Sequence, residues 1–217
     1  LAGRDTDFSL RQNMIYNTGP DRFEGVVLPP PGTRPNILVL GNSFGRDFIN
    51  MGMESGALSS TNVSFHHLQA CPATALPLWA QQNSQRADYI VLAFDFLETD
   101  IACMQDRLAT LRPISRASFV VIGTKSFGWN DNAVMRMAPG PRHAYRAQPV
   151  SEIVDANRAA ARAFSPDVYV DLMAMITDRE GRVPVFTPDH YFISPDRSHV
   201  TRSGAAYLGR FAFERHP

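Results

Sequence analysis

From Asn36 onward the chain alternates short, nearly continuous apolar runs with longer stretches of mixed polarity. The runs cover residues 37–40, 63–68, 89–94, 119–123 and 168–171. Runs this short and this apolar predict strands buried on both faces, the mark of a parallel sheet covered by helices. Helices are expected from about Asp47, over 101–111, over 152–164, and after Thr201, where Arg-Ser-Gly-Ala has the small residues of a helix start. Strand and helix in alternation predict an α/β fold with right-handed crossovers: three layers, α/β/α, around a central parallel sheet of about five strands.

Residues 1–35 break this pattern. They are rich in Gly, Pro, Asn and Asp and end in Leu28-Pro-Pro-Pro-Gly-Thr-Arg-Pro35, which predicts an irregular extension wrapping the surface, with the proline run as a stiff lead-in to the first strand. One domain is expected over 36–217. Residues 129–149 show no periodicity and read as a long irregular loop lining a site.

Composition narrows the function more than the fold. With 217 residues, 44% of them hydrophobic, the chain has material for one sizeable core. Its 21 basic and 21 acidic residues balance, which excludes the electrostatic footprint of a nucleic-acid binder and suits a neutral or weakly charged substrate. No stretch approaches the roughly eighteen uncharged apolar residues of a membrane span, and the first residues lack a signal-peptide profile. The opening Leu1-Ala-Gly-Arg fits a mature protein or a piece of a longer one. No Gly-x-Gly-x-x-Gly or phosphate loop follows any predicted strand, which argues against nucleotide binding.

Cys71 and Cys103 are an even pair, each beside a predicted element end, and favour a single disulfide in an oxidising compartment. Two buried thiols are the alternative. A zinc site with His66 and His67 is a distant third, since the spacing matches no usual ligand pattern. Neither metal nor cofactor is expected.

The chemistry concentrates at two distant places. Ser43 follows the first strand in Gly41-Asn42-Ser43, where a strand-to-helix turn leaves its backbone N–H free and lets Oγ project from the sheet edge. Asp196 and His199 stand three residues apart near the chain end. A serine hydroxyl attacks an acyl carbon only once a base takes its proton, so the expected roles are Ser43 as nucleophile, His199 as base and Asp196 as its orienting acid. Other candidates are weaker. Asp189 and His190 are adjacent and point to opposite faces of an extended segment. His143 reads as solvated and Asp171 as a structural hydrogen-bond acceptor. Arg136, Arg142 and Arg146 read either as a sugar- or anion-facing surface or as an ordinary exposed loop.

These blocks resemble the SGNH (GDSL-like) hydrolase superfamily, with Gly41-Asn42-Ser43 in place of its usual Gly-Asp-Ser and Asp196-x-x-His199 as its last block. The finer resemblance is to SGNH domains fused to, or working beside, acyltransferase-3 membrane proteins that O-acetylate bacterial surface polysaccharides. It rests on Cys71-Pro72 after the second strand, on the strand over 88–93, and on Asp196-Arg-Ser-His199-Val-Thr-Arg-Ser-Gly204-Ala205. It spans about residue 36 to the C-terminus.

The resemblance implies a serine-dependent O-acyl (acetyl) transferase or esterase. A carbohydrate acceptor and an acyl donor are the implied substrates, and a membrane-embedded acyltransferase-3 region or protein the implied partner. It also implies a periplasmic or other extracytoplasmic location, tethered to the inner membrane in a full-length protein. Oxyanion donors are harder to place. Besides the Ser43 N–H, Gly128-Trp129-Asn130-Asp131 spells the family's Gly-x-Asn-Asp but follows the fourth strand, while strand count puts Asp95 in that place. A carboxylate there would repel an oxyanion, so the hole would then rest on backbone donors. These departures, with Asn42 and the lack of a glycine over 66–71, motivate the alternative of a catalytically inactive carbohydrate-binding or partner-docking domain.

Overall fold

The computed structural model describes residues 16–129, 134 and 136–214. Five parallel strands form the central sheet: β1 (Asn36–Gly41), β2 (Asn62–His67), β3 (Tyr89–Ala93), β4 (Ser118–Ile122) and β6 (Tyr169–Val170), in the order β2-β1-β3-β4-β6. A separate antiparallel pair joins β5 (Arg146–Ala147) to β7 (Val183–Pro184). Seven α-helices lie wholly within the described residues: α1 (Ser43–Ser55), α2 (Leu78–Arg86), α3 (Ile101–Leu111), α4 (Pro139–His143), α5 (Ser151–Ala163), α6 (Leu172–Ile176) and α7 (Arg202–Glu214).

The apolar runs form central strands because their alternating side chains enter two cores. Ile37 and Val39 of β1, with Val91 and Ala93 of β3, face Phe48, Ile49 and Met51 of α1 and Ala205, Leu208 and Ala212 of α7. Leu38, Leu40, Ile90 and Leu92 face the other way, onto Met104, Leu108 and Leu111 of α3 and Ala156 and Ala160 of α5. Helix α2 joins this second face through Asn83, fully buried, whose amide donates to Ser64 Oγ of β2 at 2.9 Å. The three expected layers are present.

Boundaries depart from the sequence reading where local chemistry decides them. Helix α1 begins at Ser43 rather than near Asp47, because Asn42 caps it by accepting the Phe44 N–H at 3.1 Å. The segment 129–149, expected to be an irregular loop, contains α4 and β5 among its described residues. Residues 16–35 are fastened to the domain: Glu24 bridges Phe65, Leu28 is 1% exposed, and its N–H and carbonyl bond Asn83 and Arg86 at 2.9 and 2.8 Å. Fully buried Asn36 donates to the Pro29 carbonyl at 2.9 Å and so holds the proline run against the sheet. Among the described residues no helix is long and apolar enough to cross a membrane.

Cys71 and Cys103 are joined by a disulfide with Cα atoms 5.4 Å apart, pinning the loop after β2 to the first turn of α3. The described residues contain no group of three or more His, Cys, Asp or Glu able to hold a metal, and His66 pairs with Glu24 at 3.3 Å. A cross-link spanning 32 residues restricts the unfolded chain by roughly 3–4 kcal/mol. Urea unfolding of Cys103→Ala is expected to show a loss of about that size; an unchanged midpoint would show that the bridge adds no stability.

Candidate active site

Strand β1 has β2 on one side and β3 on the other, so the chain leaves it in opposite directions and a crevice opens at the carboxyl ends of β1 and β3. Gly41 lies at that edge with no room for a side chain, since a Cβ there would overlap the Ala93 carbonyl of β3 and stand 3.0 Å from Gly45 Cα. Asn42 then ties the two strand exits together. Its Oδ1 accepts the N–H groups of Phe44 and Asp95 at 3.1 and 3.0 Å, and its Nδ2 faces the Asp95 carbonyl and Gln69 Oε1, both at 3.4 Å. An aspartate at this position could accept but not donate.

Ser43, the first helical residue of α1, is half-buried, and its Oγ lies 2.8 Å from His199 Nε2 across 156 residues of sequence. His199 Nδ1 lies 2.6 Å from Asp196 Oδ2. The other carboxylate oxygen of Asp196 accepts the backbone N–H groups of Ser198 and His199 at 3.1 and 2.9 Å, which fixes the loop around the acid. With Nδ1–H donated to the carboxylate, Nε2 carries the lone pair that faces the serine hydroxyl. Two features hold this loop. Arg197 adopts φ +87°, and its carbonyl accepts the Phe127 N–H at 2.7 Å from the segment after β4. Thr201 Oγ1 caps α7 by accepting the Gly204 N–H at 3.0 Å, and Gly204 is needed because a Cβ would overlap the Ile193 carbonyl.

Asp196 and His199 each shift the other toward its charged form. Partial burial works against ionisation of Asp196, but hydrogen bonds from the His199 ring and backbone overcome it and hold the carboxyl well below the usual carboxylate range. The hydrogen bond to Asp196 pushes His199 above the ordinary 6.5, against the opposing effect of burial. Stability from the histidine is therefore fully present below its unfolded value and is lost as pH rises through the native one. Stability from Asp196 is present above its unfolded value and lost as pH falls through the depressed native one.

For an oxyanion, the Ser43 N–H at the helix start has no intrahelical acceptor. Asp95 is exposed and already committed, its N–H to Asn42 and its Oδ1 to Thr124 Oγ1 at 3.3 Å, so it offers no free backbone donor. Asn130 lies outside the described residues. The remaining candidates stand apart from the relay. His190 stacks on His143 at 4.1 Å, and His143 is half-buried against Phe186 rather than solvated. Asp171 caps α6 by accepting the Ala174 N–H at 2.9 Å. Arg142 is buried and Arg146 pairs with Asp178 at 2.8 Å, leaving Arg136 alone of the three exposed.

Two residues behind the relay escape a reading of the sequence. Asp47, one helical turn beyond Ser43, and Lys125, after β4, form an ion pair at 2.9 Å with side chains 1% and 2% exposed. The available signals were a charge set between Phe44 and Phe48, and the fact that Lys125 is the chain's single lysine.

No family model matches the chain, and no curated protein matches it.

In an NMR titration the His199 ring is expected to titrate above pH 6.5, and Asp196→Asn to lower that midpoint by removing its carboxylate partner. A parent midpoint at or below 6.5 would contradict the pairing.

Proposed function

We propose that this chain is a serine-dependent O-acyl transferase or esterase of the SGNH type, acting on a carbohydrate of the bacterial cell surface. The observation that carries this reading is the continuous relay from Ser43 Oγ to His199 Nε2 at 2.8 Å and from Nδ1 to Asp196 at 2.6 Å. His199 takes the serine proton as Oγ attacks an acetyl ester, Asp196 stabilises the imidazolium, and the proton passes to the leaving alkoxide as the acyl-enzyme forms. Collapse of the acyl-enzyme repeats the sequence with a sugar hydroxyl or water as the attacking group. The Ser43 N–H, at the positive end of α1, suits the developing oxyanion.

A carbohydrate acceptor is supported by the balanced charge of the chain and by Trp129, 62% exposed and two residues beyond the Phe127 contact that holds the Asp196–His199 loop. The resemblance to O-acetylation systems favours transfer, with an acyltransferase-3 membrane component as source of the acyl group and an extracytoplasmic location. The rival, an inactive binding domain, would not require this relay geometry.

Ser43→Ala is expected to lower kcat on a small acetyl ester by roughly 10³-fold or more, and a fluorophosphonate probe to label the parent stoichiometrically at Ser43. Full activity in the alanine variant would end the proposal, and an unlabelled, inactive parent would favour the binding-domain reading.

A further inference from the structure

Behind Ser43 the chain buries two charges that are not themselves links of the Ser43–His199–Asp196 relay. An isolated ammonium or carboxylate is costly to remove from water, and well-packed apolar residues of similar volume often fill such a space without loss of stability. Yet the only lysine among 21 basic residues stands here, paired with Asp47. The pair touches the relay at two points. Asp47 Oδ1 accepts the N–H of Val200, next to His199, at 3.4 Å. Lys125 Nζ sits 3.1 Å from the centroid of the Phe44 ring, next to Ser43, and that ring meets the His199 imidazole edge-on at 5.9 Å. Oδ2 and Nζ stand 2.9 Å apart with both side chains almost wholly shielded from water, so the two opposite charges meet at close range.

We propose that the Asp47–Lys125 pair is a positioning element for His199, anchoring the backbone at Val200 and fixing the charge environment of the imidazole. This rests on the relay reading above. The charged groups around the ring are Asp196 and Arg197 on its own loop, Asp47 on α1, and Lys125 after β4, with Asp95 after β3 acting in turn on Lys125. Burial pushes Asp47 up and Lys125 down, and their mutual attraction opposes both shifts. Asp47 favours the imidazolium more than Lys125 disfavours it, so removing both charges lowers the proton affinity of His199.

Two variants separate charge from anchoring without leaving a lone buried ion. D47N/K125M keeps an oxygen for the Val200 N–H, whereas D47L/K125M does not. With folding checked by circular dichroism, both are expected to shift the NMR titration of His199 to lower pH. Only the second is expected to lose roughly 10²-fold in kcat with KM unchanged, as the imidazole drifts from Ser43. In the unmodified protein, the side-chain resonance of the single lysine is expected to move as His199 titrates. A lysine signal indifferent to that titration overturns the proposal, as does a folded D47N/K125M protein with the original His199 midpoint, or equal kcat in the two variants. The NMR readouts need no turnover, so a protein that neither turns over an acetyl ester nor takes the fluorophosphonate label sinks the functional reading and leaves this one still decidable.

Discussion

The close packing of α1 against α7 is the constraint on which the rest depends. Ser43 opens α1, and His199 stands three residues before α7, so the separation of the two helices sets the distance between hydroxyl and imidazole. Glycine allows the approach. A Cβ at Gly209 of α7 would overlap the Met51 carbonyl and come within 2.9 Å of Ser55, and one at Gly52 of α1 would strike Leu58 and stand 3.0 Å from the Phe213 ring. Interiors packed this tightly transmit small volume changes. A bulkier residue in the helix seam would act on the Ser43–His199 bond without touching either side chain.

Helix packing sets distance, while polar ties at the strand exits set orientation. Asn42 joins the exits of β1 and β3, the Phe127 N–H joins the segment after β4 to Arg197, and Asp47 joins α1 to Val200. Each tie ends within three residues of Ser43, Asp196 or His199. The left-handed Arg197, a conformation a side chain rarely adopts, turns its carbonyl to the Phe127 N–H while leaving the neighbouring N–H groups pointed at the Asp196 carboxylate. A relay held on several sides needs little reorganisation when charge develops, which is the condition for electrostatic stabilisation to act on a reaction.

Much of this was readable in the chain because burial on both faces leaves an unmistakable trace. All five sheet strands appear as apolar runs, and Gly41, Ser43, Asp196 and His199 stand out because their order and spacing have a chemical meaning. The elements that escaped have weak local signals. Helix α2 buries Asn83 and Ser84 where an apolar stripe would be expected, α4 carries two prolines and a glycine in five residues, and β5 and β7 are two residues long. The buried ion pair escaped for another reason. A charge in a sequence reads as solvated until its partner is known, and here the partner lies on a different element across the core. The stacking of His143 on His190 likewise depends on a contact between distant segments.

The exposure of the relay bears on transfer against hydrolysis. The side chains of His199 and Asp196 are 28% and 48% exposed, so water reaches the carboxylate and one side of the imidazole. On the acyl-transfer reading, an acyl-enzyme here would meet water at a concentration no sugar can match, and the described residues leave His199 and Asp196 partly open to it. Selection for transfer must then come from the acceptor, which would have to cover the exposed relay and place a hydroxyl at His199 Nε2 before water does. A relay held on its inner side and partly exposed among the described residues is suited to that division: on this reading the fold would fix the base and the nucleophile, and a bound sugar would complete the enclosure.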